Sequence, residues 1–122
     1  MHESFAGFAM PAEDEVRHAA DLLRMLSDPT RIKILWALLQ GESSVACLAE
    51  LVGATPTAVS QHLSKLRLAG YVQNRREATF IYYTIENPAI RPILDHLLAD
   101  HAPADHAPAA AGARPGATPS LP

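Results

Sequence analysis

The sequence predicts a mainly α fold with a two-stranded β-wing, a winged helix-turn-helix that assembles as a dimer. Three observations carry this expectation. Apolar residues recur at helical rather than alternating spacing from Val16 through Leu39. Two further short helical patterns follow, joined only by Ala54-Thr55-Pro56, and the second is polar and basic. Beyond Gly70 the period changes, and β-branched and aromatic residues flank a charged NRREA turn.

Taken in order, EDEVRHAADLLRMLSD places Val16, Ala19, Ala20, Leu22, Leu23 and Leu26 on a helical stripe, with acids in the first turn that suit the positive end of the helix dipole. Asp28 then precedes Pro29. A second helix starts there with Pro in its first turn and stops at Gly41, and its Ile32, Ile34, Leu35, Trp36, Leu38 and Leu39 mark the centre of the core. Ser43 or Ser44 caps a short third helix that Gly53 ends. The polar helix runs from Thr57 to Leu68, the wing strands lie near Tyr71 to Asn74 and Thr79 to Ile85, and a last helix spans about Asn87 to Ala102 with Pro88 in its first turn. Ile90, Ile93, Leu94, Leu97 and Leu98 form a stripe wider than one small core can cover, and Val16, Ala19, Leu22 and Leu23 give the first helix a similar face. Both faces are expected to meet a second copy of the chain. Residues 1–11 read as a flexible N-terminus, 12–102 as the folded domain, and 103–122, rich in Pro and Ala, as a disordered tail.

Composition narrows the function. A chain of 122 residues holds one domain with its own core. No apolar run reaches the roughly 20 residues a membrane-spanning helix needs, and MHESFAGFAMPAEDE lacks the basic start of a secretory leader, so a cytoplasmic location is expected. Cys47 is the only cysteine, which removes any intrachain disulfide. There is no Gly-rich phosphate loop and no nucleophile with a partnered base, so the chain does not read as an enzyme.

A formal net charge of −3 argues at first against nucleic acid, but its distribution reverses the argument. From Thr55 to Thr79 the chain carries Lys65, Arg67, Arg75 and Arg76 against Glu77 alone, while acids gather from Glu13 to Asp28 and from Glu86 to Asp105. Local basic charge is what a phosphate-facing surface requires. In the polar helix, Thr57, Ser60, Gln61 and His62 are the candidates for base edges in the major groove of double-stranded DNA, since Gln pairs bidentately with adenine and Ser or Thr with several bases. Lys65 and Arg67 would hold phosphates, and Arg75 with Arg76 in the wing would reach the flanking backbone.

At this point LLRMLSDPTRIKIL, LAELVGATPTAVSQHLSKLRLAGYV and the closing IYYTI together resemble the ArsR/SmtB family of bacterial metal-sensing repressors, over roughly Val16 to Leu98. The resemblance implies a homodimeric winged helix joined through its first and last helices, which sits on an inverted-repeat operator until an effector releases it. One departure lies in the wing. Glu77-Ala78 stands where many relatives turn on Asp-Gly, so a longer or different turn is expected.

The resemblance also directs attention to the effector. Ser44-Val45-Ala46 occupies the place of the Cys-x-Cys used by arsenic, cadmium and lead sensors, and Cys47 alone makes no soft-metal site. Asn87 and Ala89 replace the early Asp and His that zinc and cobalt sensors carry on the last helix. The later segment DHLLADHAPADHA is rich in imidazole and carboxylate: Asp100 and His101 resemble the pair that ends this helix in nickel and cobalt sensors, and His106 resembles their tail histidine. His96 stands four residues before Asp100 and is a possible fourth ligand, so Ni, Co or Zn is the expected divalent metal. His2 and Glu3 are a remoter source of ligands. Two alternatives stand beside this reading: a regulator of the same fold that answers a non-metal signal or none, and a metal-buffering or protein-interaction module without DNA binding, supported only by the acidic net charge.

Overall fold

Asp28 and Pro29 decide where the first two helices part. A residue before proline is pushed toward extended backbone, and Asp28 takes φ −113° and ψ 126° while its side chain accepts the Arg31 N–H. In the computed structural model, which describes residues 5–99, helix α1 therefore spans Glu13–Met25 and α2 spans Pro29–Gln40. The first helix ends before the expected Asp28, because Leu26 leaves helical geometry and Asp28 is already the cap of α2.

Strand β1 (Ser43–Ser44) and helix α3 (Val45–Val52) follow, and the Ser44 hydroxyl accepts the Cys47 N–H at 3.3 Å to cap α3. Gly53 ends α3 in the left-handed region at φ +73°. Helix α4 (Pro56–Leu68) is capped by Thr55, whose hydroxyl accepts the Ala58 N–H at 3.1 Å. It closes on Gly70 at φ +85°, which lets the Tyr71 N–H reach back to the Leu66 carbonyl at 2.9 Å.

Strands β2 (Val72–Glu77) and β3 (Phe80–Ile85) form the wing, and the sheet order is β1-β3-β2, antiparallel throughout. The sheet thus has three strands where the sequence predicted two. The added strand is only a residue pair, Ser43 opposite Tyr83 and Ser44 opposite Tyr82, too short to leave a periodic signal. The wing is also longer than expected on its first arm: β2 continues to Glu77, and Ala78-Thr79 alone makes the turn. Ala78 adopts φ +59°, so alanine takes the conformation for which glycine is the usual residue.

Helix α5 spans Ile90–Leu97, shorter than expected at both ends, since Leu98 already leaves helical geometry at φ −111° and ψ 36°. The Asn87 carboxamide oxygen accepts the Ala89 N–H at 2.9 Å, and this local turn holds Pro88 outside the helix. Pro92 lies in the first turn of α5, where its missing N–H would have had no helical partner. Residues 1–4 and 100–122, including the expected tail, lie outside the described residues.

One core joins α2 to α5. Ile34, Leu35, Leu48, Leu63, Ile90 and Leu94 are completely buried, each contributing about 1.5–3 kcal/mol of apolar transfer. Leu22 and Leu26 bring only the end of α1 into this core. Glu13 to Asp21 are exposed at every position, as is Leu23.

Candidate nucleic-acid interface

Helix α4 divides into two faces. Val59, Leu63 and Leu66 are fully buried and seat it against the core. Thr57, Ser60, Gln61, Ser64, Lys65 and Arg67 are all exposed. No hydrogen bond or ion pair among the described residues engages the side chains of these six, so their donors and acceptors face solvent uncommitted. The helix contains no Asp or Glu. Its preceding turn, Gly53-Ala54-Thr55, sets α3 and α4 in contact as the two members of a helix-turn-helix.

His62 departs from the expected set. It sits at the flank of α4, and its side chain is only 21% exposed, with Nε2 3.7 Å from the Asp28 carboxylate and Nδ1 3.4 Å from Arg31 Nη1. The ring faces the start of α2 rather than the open side of α4. Asp28 is held below the ordinary carboxylate range chiefly by the Arg31 backbone N–H, partly offset by burial. It therefore presents a charged group to this junction at neutral pH.

The wing separates its two arginines as sharply. Arg75 Nε and Nη2 donate to the two Glu42 oxygens at 2.6 and 2.9 Å, Nη1 donates to Glu77 at 2.7 Å, and the guanidinium lies 5.0 Å from the centre of the Tyr82 ring. Its charge is spent on the protein, and the side-chain hydrogen bond from Arg75 lowers the pKa of Glu42. Arg75, expected from sequence as a phosphate contact, is engaged in the free protein by Glu42 and Glu77. Arg76, opposite Ile81, is exposed and has no ion pair among the described residues. It keeps the expected charge available on the wing.

Two residues of this arrangement were missed in the sequence. Arg31 lies in the DPTR stretch and Glu42 next to the Ser43-Ser44 cap, but both act through contacts to residues at least 31 positions away. Local pattern carries no trace of such pairs.

Of the expected metal ligands, only His96 is among the described residues. His96 is exposed in the last turn of α5, whereas Asp100, His101 and His106 lie outside the described residues, as do His2 and Glu3. Among the described residues no group of three or more His, Cys, Asp or Glu side chains could hold a metal ion. None of their helices is long and apolar enough to cross a membrane.

The pattern of the arsR family of bacterial regulatory proteins matches residues 28–74, from the cap of α2 into β2. The transcriptional regulator KmtR of Mycobacterium tuberculosis is 45% identical over 82 residues, 67% of this chain and 63% of that protein, so the match spans a little under two thirds of the relative's length. A probable mercury resistance operon repressor of Streptomyces lividans is 36% identical over 94 residues, 75% of each chain. The chain belongs to the arsR family. A solution structure of a homodimeric winged helix-turn-helix DNA-binding domain from Mycobacterium bovis superposes with a TM-score of 0.64 at 30% identity, covering 78% of this chain and 90% of that one. This arsR-family chain is thus a winged-helix transcriptional regulator and not an enzyme.

Proposed function

We propose that this chain is a homodimeric repressor that reads an inverted-repeat operator with α4 and leaves it when a divalent metal binds. The observation that carries the DNA-reading part is the exposed, acid-free face of α4, where Thr57, Ser60, Gln61, Ser64, Lys65 and Arg67 have no partner in the described chain. Gln61 and its hydroxyl neighbours would read base edges, while Lys65, Arg67 and Arg76 would hold phosphates. Dimerisation is supported by the exposed apolar residues Val16 and Leu23 on α1 and Leu97 on α5.

The metal part rests on donor chemistry and on the metal-resistance relative. Asp100, His101 and His106 are the residues that would hold the ion, with His96 as a fourth ligand. Imidazole and carboxylate without thiolate suit nickel, cobalt or zinc. Release requires that the metal bind the DNA-incompetent geometry more tightly than the competent one.

A second reading, a regulator of the same fold without a metal effector, is favoured by Asn87 and Ala89. Asn87 uses its carboxamide in a local turn, and Ala89 offers no ligand atom. To separate the two, a duplex selected by the wild-type protein from a random pool is titrated with Ni(II), Co(II) or Zn(II) and followed by fluorescence anisotropy. The metal reading expects release for the wild type and none for a protein carrying both His101→Ala and His106→Ala, with equal DNA affinity before metal is added. Equal release by both proteins would sink it.

A further inference from the structure

Apolar burial sets which face of a helix turns inward, and a directional polar contact narrows the remaining freedom of rotation about its axis. Val59, Leu63 and Leu66 turn one face of α4 into the core in the first way. Among the described residues, the only side-chain polar contacts from α4 to another element are those of His62. They meet a compact junction. Asp28 Oδ2 accepts the Arg31 N–H at 2.9 Å, the Arg31 side chain turns back so that Nε donates to the Met25 carbonyl at 2.8 Å, and Nη1 reaches within 3.4 Å of His62 Nδ1.

The chemistry fixes the ring. A guanidinium has donors only, so His62 Nδ1 must accept and the ring proton must sit on Nε2. That nitrogen lies 3.7 Å from Asp28 Oδ2, the same oxygen that caps α2. One imidazole therefore lies between a cationic donor that is anchored on the last carbonyls of α1 and an anion at the first turn of α2.

We propose that Asp28, Arg31 and His62 form a positioning element that narrows the axial rotation left to α4 by its apolar packing and ties it to the end of α1. The proposal rests on the reading of α4 as the DNA-contacting helix. His62 is then a positioning residue: it aims Gln61 and Ser64 by holding the backbone between them, and it touches neither base nor phosphate.

The test uses the full chain. Ring nitrogen shifts of His62, measured without DNA, are expected to report the Nε2–H tautomer, and Arg31→Lys, which keeps the charge but not the fork, is expected to shift the Nδ1 signal. Affinity is then measured for the selected duplex and for random-sequence duplex across a salt series, with thermal melting as a control on folding. For His62→Ala we expect about a tenfold loss on the selected duplex, as for one misread base pair, with random-sequence binding and the salt slope unchanged. His62→Gln, whose amide can accept from Arg31 and donate to Asp28, is expected to recover most of that loss. The proposal is overturned by an Nδ1–H tautomer, by unchanged discrimination in His62→Ala, or by equal losses on both duplexes with a shallower salt slope, which marks a direct phosphate contact. Failure of the wild type to select any duplex overturns the reading of α4 itself, and the ring shifts distinguish that failure from an error in the junction.

Discussion

Gln61 and Arg76 are both exposed, on α4 and on the wing, yet they would act on DNA by different physics. Gln61→Ala is expected to cost about 1–3 kcal/mol on the selected duplex and to relax preference at one base pair. Arg76→Ala is expected to weaken binding to all sequences and to lower the salt slope by about one. Competition binding at two or more salt concentrations separates them, and identical behaviour of the two variants would place both in one class. At Ala78 the effect is on stability. Its φ of +59° is costly for a residue with a Cβ, so Ala78→Gly is expected to raise unfolding free energy by up to about 1 kcal/mol in urea titration, net of the glycine entropy cost. Single residues were also where sequence reading was least complete. The exposed side of α4 was legible because polarity and acid content are local properties, whereas the partners of His62 and Arg75 were not, because each lies across the fold.

An exposed salt-bridge network joins the wing to the body of the protein, beside the β1–β3 pairing and the buried Val72 and Tyr83. Glu42 follows the end of α2 and meets Arg75 of β2 bidentately, a clamp between the end of α2 and the first arm of the wing. Hydrogen bonding from Arg75 lowers the Glu42 pKa in the folded state. A depressed carboxyl contributes stability above its unfolded range and loses it as pH falls through the folded value. Glu42→Gln is accordingly expected to flatten the acid limb of a stability-versus-pH curve while leaving α4 folded. An unchanged acid limb by circular dichroism would show that the clamp contributes nothing in solution. At this scale most of the molecule was readable: Asp28-Pro29, Ser44, Gly53 and Gly70 announce helix ends through local backbone chemistry. Strand β1 and the late start of α5 were not, since a two-residue strand has no period and the Asn87 turn outcompetes helix at Pro88.

Across the whole molecule, α1 is the element least accounted for by one chain. Only Leu22 and Leu26 are buried, while Val16 is 44% and Leu23 60% exposed. Dimerisation through this face gives a direct expectation: Leu23→Glu places a charge in the apolar interface and is expected to shift sedimentation from dimer toward monomer at micromolar protein. An unchanged sedimentation coefficient would move the interface elsewhere. The exposure of apolar residues on the first and last helices was legible in their stripes, because a stripe wider than its own core is visible in sequence. The exposed first half of α1 has one more consequence. A segment buried only by association is open to proteolysis whenever the partner departs, and mass action makes that interval longer at lower copy number. The protein's half-life in a cell would then rise with its own abundance, so that dilution by growth would hasten its clearance.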